Sequence, residues 1–258
     1  MGLNIIVCIK SVVLDAPEGR VVRLPETCAL NPFDRPALEM ALRLREEKGG
    51  RVTALSMGPD VAGLSLYEAM AMGVDRAILI SDPALAGSDT LATSTALGAA
   101  IIKLRPFDLI LFGARTSDSD TGQVGPQTAV RIGLPIITGV YQLECTEAKI
   151  MADRRVDEFN ERCEVFLPAA ITIHPAALQA RDSSLSGIEK AFDVGVFERM
   201  DLSDLDLSEN QAGEKGSATR VLSMNKIRRK RKCEFITGTV EEQADELIRR
   251  LKEGGYIG

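Results

Sequence analysis

The first 135 residues alternate short apolar runs with segments of helical periodicity, and this alternation most restricts the possible folds. Four runs predict strands, and each of the first three precedes a segment whose apolar residues recur at helical spacing. Strands joined by single helices pair in parallel through right-handed crossovers, so helices cover both faces. The sequence therefore predicts an α/β fold with a doubly wound, mostly parallel, Rossmann-like sheet whose first strands are residues 4–9, 52–57, 76–80 and 107–112.

The stretch from residue 107 to residue 126 predicts a ligand site at the end of the fourth strand. The run 107–112 is apolar on both faces except for Asp108, which is typical of a central strand. Short polar residues follow, and residues 123–133 are compatible with a helix that holds Pro126 in its first turn. Because N–H groups and the dipole at a helix start favour phosphate, the stretch suits a nucleotide. A capped loop without a ligand is the alternative on these residues alone.

Two aspartates limit the assignments within this loop. Asp118 and Asp120 would repel a phosphate at contact distance, so we expect them to cap the helix or to hold ribose or adenine donors. Thr121, Gln123 and the loop amides are better candidates for phosphate contacts. Neither G-x-G-x-x-G nor G-x-x-x-x-G-K-[ST] occurs, so binding would use another loop chemistry. In sheets of this class, ligands bind at the carboxyl ends of strands where the strand order reverses.

Charge and cysteine content argue against several function classes. The net charge of −6 disfavours a general nucleic-acid binder. Five scattered cysteines without a C-x-x-C pair indicate free thiols in a cytoplasmic protein, with neither disulfides nor a metal site. The N-terminus enters a strand at once, and no window reaches the length of a membrane span, so we expect no signal peptide and no membrane insertion. His174, the only histidine, has no assigned partner, and we expect no catalytic residues.

After Pro135 the pattern changes to short runs joined by polar turns. Residues 136–143, 149–151, 162–166 and 170–173 predict strands that extend the sheet in antiparallel fashion. Residues 181–190 predict an exposed loop in which Leu185 is a candidate anchor for a partner protein, although most surface leucines have no such role.

The C-terminal part predicts elements that reach away from the sheet. The acidic segment 200–216 predicts an extended arm, residues 226–232 a basic strand that faces solvent or another subunit, and residues 241–252 an amphipathic helix. We therefore expect a nucleotide-binding domain over residues 1–195, which includes the loop 181–190. A C-terminal arm and helix would occupy residues 196–258.

An ordered set of motifs resembles the beta subunit of electron-transfer flavoproteins. The set comprises CIK at 8–10, NPFD at 31–34, GGRVTALSMGP, AMGVDRAILISD, GSDTLATS, GARTSDSDTGQVGP, LPAAIT at 167–172 and GSATRV at 216–221. The resemblance covers nearly the whole chain and implies a carrier subunit of an αβ heterodimer without catalytic residues of its own. In that family the alpha subunit holds most of the electron-carrying FAD, and beta binds AMP, or a second FAD in electron-bifurcating members.

The resemblance also implies which residues contact the nucleotide and the redox partner. The motif D-x-D-T-x-Q-V-G-P at 118–126 is similar to the corresponding sequence of bifurcating members. This similarity favours FAD in this subunit, with AMP as the alternative. Partner recognition carries over to Arg181, Leu185, Gly187, Ile188 and Lys190. Nucleotide contacts carry over to Cys8, Asn31, Pro32, Phe33, Asp34, Met57, Gly113, Ala114, Arg115, Thr116, Ser117, Asp118, Ser119, Asp120, Thr121, Gly122, Gln123 and Val124.

The electron route implied by the resemblance departs from the usual one at the recognition loop. Electrons arrive from acyl-CoA or related flavin dehydrogenases and leave for a quinone oxidoreductase or, by bifurcation, are split with ferredoxin. Where the family carries lysines after the glycine of this loop, the chain reads Phe192-Asp193. Losing that positive cluster weakens steering towards an acidic dehydrogenase surface, so we expect an uncommon dehydrogenase partner. Residues 11–18 also differ from the sequence that is usual in the family after the CIK motif.

Two other function classes fit the same predicted sheet. One is an adenine-nucleotide-binding regulatory or stress-type protein without a redox role, which would purify without a flavin-bearing partner. The other is an adenylate-transferring enzyme, which needs a catalytic loop for pyrophosphate release that the sequence does not show.

Overall fold

Strands and helices alternate along most of the chain in the computed structural model, which describes residues 2–14, 23–146, 148–193, 195–223 and 233–258. The strands are β1 (Leu3–Ile9), β2 (Ser11–Val13), β3 (Cys28–Leu30), β4 (Gly50–Met57), β5 (Arg76–Ile80), β6 (Leu109–Gly113), β7 (Ile136–Cys145), β8 (Lys149–Val156), β9 (Phe159–Phe166), β10 (Ala169–Ile173) and β11 (Glu198–Met200). The helices are α1 (Arg35–Lys48), α2 (Gly63–Met72), α3 (Thr90–Lys103), α4 (Val124–Arg131), α5 (Leu185–Asp193), α6 (Gly213–Gly216) and α7 (Val240–Glu253).

Nine strands form one sheet in the order β11-β5-β4-β1-β6-β10-β7-β8-β9, and β2 pairs with β3 in a separate antiparallel ribbon. The first seven strands of that order are parallel, whereas β8 and β9 continue the sheet in antiparallel fashion. The chain runs outwards from β1 to β4 and β5 on one side and then returns to place β6 on the other side. The carboxyl ends of β1 and β6 therefore meet where the strand order reverses.

Helices cover both faces of the sheet, as the alternation predicts. Successive residues of β1 point to opposite faces, so Val7 packs with α1 and α2 in one hydrophobic cluster while Ile6 packs with α3 and α4 in another. The fourth predicted strand behaves in the same way, because Leu109 and Leu111 join the first cluster and Ile110 joins the second. The predicted doubly wound α/β class is confirmed.

The predicted antiparallel extension is correct for the pairings of β7 with β8 and of β8 with β9, but it is wrong for β10 and for the pairing of β7 with it. β10 is parallel and lies between β6 and β7, with Ile171 opposite Leu111 on one side and Ile137 on the other. All five residues of β10 are buried, which matches a central strand rather than an edge strand.

Residues 181–190, predicted as an exposed loop, lead into helix α5 instead. The helix packs against α2 so closely that a Cβ on Gly187 would lie 2.3 Å from the Ala71 carbonyl oxygen. Phe192 stacks on Tyr67 of α2 with ring centroids 4.9 Å apart. Tertiary contacts with α2 therefore fix a segment whose local sequence is polar.

The segment predicted as an extended arm is folded onto the sheet. β11 pairs with β5, and Leu202 and Leu205 are buried against α3 and its neighbours. The first compact unit consequently runs to residue 223, and the predicted boundary at 195 falls inside it. The predicted basic strand 226–232 lies outside the described residues.

The second unit covers residues 224–258 and contains α7. Thr239 accepts the N–H of Glu242 and Glu242 reaches back to the Thr239 N–H, which is a capping box. Leu247 and Ile248 are about half exposed on one side of the helix, in agreement with the predicted amphipathic pattern. No described helix combines the length and apolar character needed to cross a bilayer.

Candidate functional site

The carboxyl ends of β1 and β6 bring three chain segments into direct contact. Lys10 follows β1, Gly113 ends β6, and the predicted contact loop 31–34 lies between them. A Cβ on Gly113 would lie 2.2 Å from Asp34 Oδ1 and 2.5 Å from the Phe33 carbonyl oxygen. Only glycine allows this approach of the two backbones, so the glycine that ends the apolar run has a structural reason.

Asn31 joins the two predicted contact loops. Its Nδ2 donates to the Arg115 carbonyl oxygen at 2.9 Å, and its Oδ1 accepts the Ser117 N–H at 3.2 Å. Its own N–H donates to the Lys10 carbonyl oxygen at 2.9 Å. Because Asn31 is fully buried, these bonds are shielded from water and fix loop 113–117 against the end of β1.

Asp34 is a buried carboxyl group at the centre of this junction. It is 4% exposed, and its Oδ2 accepts the Lys10 N–H at 2.7 Å. Burial raises the pKa of Asp34 to about 7, although hydrogen bonds from Lys10 and Asn31 favour its ionised form. Burial, and then the charge of Asp34, raises the pKa of the Cys8 thiol. Cys8 is therefore a protonated core residue rather than a nucleophile.

Lys10 and Arg115 neutralise the two aspartates of the polar loop. Lys10 Nζ lies 2.7 Å from Asp118 Oδ1, and Arg115 Nη1 lies 3.4 Å from Asp120 Oδ1. Burial opposes ionisation of Asp118, but the hydrogen bond and charge of Lys10 hold the pKa of Asp118 below its usual range. Of the two roles predicted for these aspartates, capping of the following helix is wrong, because α4 has Gln123 as its N-cap residue and no side-chain cap. Their contact with ribose or adenine donors stays a prediction.

Two helices begin at this edge of the sheet with different caps. At α3, Asp89 Oδ1 accepts the N–H groups of Leu91 and Ala92. At α4, the described residues supply no side-chain acceptor to the first N–H groups, although Thr90 Oγ1 donates to Gln123 Oε1 at 3.1 Å. Those N–H groups and the helix dipole make the start of α4 the better place for an anion.

The remaining predicted contacts lie along the same edge and are mostly open to solvent. Met57 ends β4 and is half-buried, Pro32 is exposed, and the Phe33 ring lies 4.7 Å from the Arg115 guanidinium carbon. Residues 117–123 are exposed, so side chains do not seal the polar loop. Asp120 and Gly122 have φ of 52° and 63°, which turns the loop back towards α4. Lys10 after β1, loop 31–34, Met57 and loop 113–123 therefore form an open surface at the carboxyl ends of β1 and β6, which we call the ledge.

Sequence reasoning missed three groups at or beside this ledge. Lys10 lies in the CIK motif directly after the first strand, but its ion pair with Asp118, 108 positions away, has no local signal in the sequence. Thr90 follows the cap of α3 and contacts Gln123. His174, which has no assigned partner in the sequence analysis, directly follows β10 and is hydrogen-bonded to Tyr141, which no local pattern indicates.

Cavities elsewhere in the first unit do not coincide with the ledge. A cavity of about 510 Å³ lies at the opposite, amino-terminal edge of the sheet, and its lining includes Lys48, Asp108 and Cys145. All five cysteines of the chain are free thiols. No group of three or more His, Cys, Asp or Glu side chains in the described ranges is arranged to hold a metal ion.

The predicted partner-recognition residues divide into half-buried residues that hold the segment to the first unit and exposed side chains. Arg181 binds Glu39 through its N–H and Nε at 3.1 and 2.7 Å, and its Nη1 lies 2.6 Å from Glu46 Oε1. These bonds to Glu46 and then Glu39 raise the pKa of Arg181. Gly187 faces α2, whereas Leu185 is 87% exposed, and Ile188 and Lys190 are also exposed.

Comparison with known proteins gives matches over nearly the whole chain. The family model described as the electron transfer flavoprotein domain matches residues 21–198. The electron transfer flavoprotein subunit beta of Thermoanaerobacterium thermosaccharolyticum is 37% identical over 262 residues, covering 99% of this chain and 100% of that protein.

The names of two further relatives include a reductase. The caffeyl-CoA reductase-Etf complex subunit CarD of Acetobacterium woodii is 36% identical over 263 residues, covering 99% of this chain and 100% of that protein. The acryloyl-CoA reductase electron transfer subunit gamma of Anaerotignum propionicum is 34% identical over 267 residues, with the same coverage.

Proposed function

The chain belongs to the electron transfer flavoprotein family, and from that premise we propose that it is the beta subunit of an αβ heterodimer. The heterodimer carries electrons from a flavin dehydrogenase to an acceptor, and this subunit binds an adenine nucleotide on the ledge at the carboxyl ends of β1 and β6. The chain binds and orients the nucleotide and supplies no acid or base to the reaction.

The observation that carries this proposal is the open ledge at the point of strand reversal. Asn31 and Gly113 fix two loops side by side there, and the loops leave the start of α4 without a side-chain cap. This arrangement fits a nucleotide, because a phosphate supplies the acceptors that the free N–H groups of α4 need. Lys10 and Arg115 neutralise nearby carboxylates that would otherwise repel it.

The residues of the ledge suggest a division of contacts along the nucleotide. The N–H groups of α4, with Thr121 and Gln123, would hold phosphate, and the loop 31–34 with Met57 would hold the adenosine. Bound FAD supplies the electron-carrying chemistry, and the protein groups around it set its potential. Asp118 stays ionised beside Lys10, so it serves as an acceptor for ribose or adenine donors and not as a phosphate ligand.

We propose FAD rather than AMP as the occupant of this subunit, and flavin-based bifurcation as the role of the complex. The motif at residues 118–126 supports this choice, and so does the similarity to subunits named for caffeyl-CoA and acryloyl-CoA reductases. Electrons would come from an acyl-CoA-type dehydrogenase and pass to ferredoxin, or to a quinone oxidoreductase in a complex that does not bifurcate. Five free thiols favour a cytoplasmic location.

Two helices offer surfaces for protein partners. α5 presents Leu185 and Ile188 on an element that Arg181 and Gly187 fix to the first unit, and we propose that it contacts the dehydrogenase. Fixing the helix before binding lowers the entropy lost on docking. The apolar side of α7, with Leu247 and Ile248, would contact the alpha subunit.

The test is to co-express the full chain with its alpha-type partner and to count FAD and AMP released per heterodimer. Two FAD and no AMP would support the bifurcating assignment. One FAD and one AMP would reject bifurcation while keeping the electron carrier. A chain that purifies with AMP and forms no flavin-bearing heterodimer would reject the carrier and favour a regulatory nucleotide-binding protein.

A further inference from the structure

A histidine directly after β10 and a tyrosine within β7 form a pair level with the carboxyl end of β10. The rings of His174 and Tyr141 are stacked with centroids 4.1 Å apart and an interplanar angle of 22°. The Tyr141 hydroxyl lies 3.1 Å from His174 Nε2. Both side chains are half-buried, so part of the pair faces solvent.

The hydrogen bonds of His174 determine which atoms carry protons. Nδ1 accepts the Ala176 N–H at 3.1 Å, so it carries no proton in the neutral ring. Nε2 therefore carries the hydrogen and donates it to the Tyr141 oxygen. Burial, and then the charge of Arg115, lowers the pKa of His174, which keeps the ring neutral. The Tyr141 O–H remains available, because His174 is its only hydrogen-bond partner within the described residues.

The pair extends the ledge in one direction. Ile173 of β10 pairs with Gly113 of β6 on one side and with Val140 of β7 on the other. His174 follows Ile173 and Tyr141 follows Val140, so both residues lie level with the carboxyl end of β6. Strands in a sheet lie about 4.8 Å apart, so the step from β1 past β6 and β10 to β7 is about 14 Å. The adenosine contacts proposed for loop 31–34 and Met57 lie on the β1 side of β6, and the proposed phosphate site is the start of α4. Tyr141 lies on the other side of β6, two strands further along the sheet, where a ligand longer than AMP would continue past that phosphate.

We propose that Tyr141 donates a hydrogen bond to the part of FAD that AMP lacks, and that His174 is the residue that positions it. This inference rests on the proposed function, because it assumes that the ledge holds an adenine nucleotide. The acceptor is an oxygen or nitrogen of the second phosphate or of the riboflavin portion. The pair thus determines specificity for the longer nucleotide.

The test uses heterodimers of the full chain and its alpha-type partner, prepared with the beta site emptied by dialysis. FAD, ADP and AMP are titrated into wild type, Tyr141→Phe, His174→Phe and His174→Gln, with Tyr256→Phe as a control for the loss of an exposed hydroxyl. Tyr141→Phe is expected to weaken FAD binding about 2- to 10-fold, as for a single lost hydrogen bond, and to leave AMP binding unchanged. His174→Phe keeps a stacking ring and should reproduce the loss, whereas His174→Gln retains a donor and should restore part of the affinity.

Each outcome decides one part of the inference. A loss shared by FAD and ADP assigns the acceptor to the second phosphate, and a loss with FAD alone assigns it to the riboflavin portion; both support the proposal. Unchanged FAD binding by Tyr141→Phe overturns it, and so does an equal loss for AMP, because that would show a purely structural role. Failure of the wild-type beta site to take up FAD would instead refute the proposed occupant.

Discussion

Replacing the buried carboxyl group at the centre of the ledge should stabilise the chain in a pH-dependent way. Asp34→Asn keeps an oxygen that accepts the Lys10 N–H and removes the charge that burial disfavours. In the folded state the pKa of Asp34 is raised from 3.8 to about 7, so the folded chain binds a proton that the unfolded chain has lost. The contribution of Asp34 to the stability of wild type is therefore largest below pH 4, and it falls as the pH rises from 4 through 7.

The magnitude follows from the two pKa values. The penalty that Asn removes is about 2 kcal/mol at pH 5.5 and reaches about 4 kcal/mol at pH 8.5, both as upper bounds because water penetration screens buried charge. For a chain of this size each kcal/mol changes the melting temperature by about 2–4 °C. The melting temperature of Asp34→Asn should thus exceed that of wild type, and the excess should grow towards alkaline pH.

The assay is thermal unfolding of the nucleotide-free chain across this pH range, because a bound ligand would add its own stabilisation. Asp108→Asn is the matched control, since Asp108 Oδ2 also accepts a backbone N–H, that of Asn4, at 2.7 Å but is only half-buried. If the difference between Asp34→Asn and wild type does not change with pH, burial does not control this carboxyl group and the reasoning fails.

Four further substitutions, of which Glu46→Gln is a control, test the contacts of the ledge and of α5. Glu39→Gln leaves Arg181 and its neighbour Arg43 without their buried anion and should lower the free energy of unfolding by about 1–3 kcal/mol. The control is Glu46→Gln, at a half-exposed carboxylate, which should change the free energy of unfolding by less than about 1 kcal/mol. Equal melting temperatures for these two variants would contradict a buried anchor. Gly113→Ala pushes loop 31–34 away, so it should release the nucleotide from purified heterodimer and lower the free energy of unfolding by about 1–3 kcal/mol. Full nucleotide content after gel filtration would refute the role of this close approach in binding. Leu185→Ala should leave the melting curve unchanged but slow acceptor reduction by the cognate dehydrogenase, and an unchanged rate at limiting heterodimer would remove Leu185 as an anchor.

Local patterns predicted the elements whose stabilising contacts lie on their own periodic face. The strands up to β6 and the helices α1 to α4 follow from apolar spacing, and Gly73, with φ of 117°, ends α2 where the sequence indicates. Position in the sheet was harder to predict. The apolar pattern of β10 is compatible with an edge strand and with a central strand alike. Only the pairing of β10 with β6, some 60 residues earlier in the chain, shows that it is central.

The site shows the same division between local and distant information. The polar loop and its glycines were visible in the sequence, but the bond from Asn31 to the Arg115 carbonyl oxygen joins residues 84 positions apart. Helix α5 was missed within the predicted loop 181–190 because it is held by contacts with α2 and by Arg181, whose partner Glu39 lies 142 positions away. Capping by Asp118 was a reasonable local expectation, and the charge of Lys10 overrides it.

The placement of β10 between β6 and β7 has a consequence for how the chain matures during synthesis. When residues 1–135 have left the ribosome, β6 has one neighbour, β1, and its second edge has no strand to cover it. The three-stranded meander of β7, β8 and β9 emerges next and has nothing to attach to until Ile173 follows. Nascent chains that stop short of that residue expose an open apolar edge, which is the kind of surface that chaperones bind and that drives aggregation.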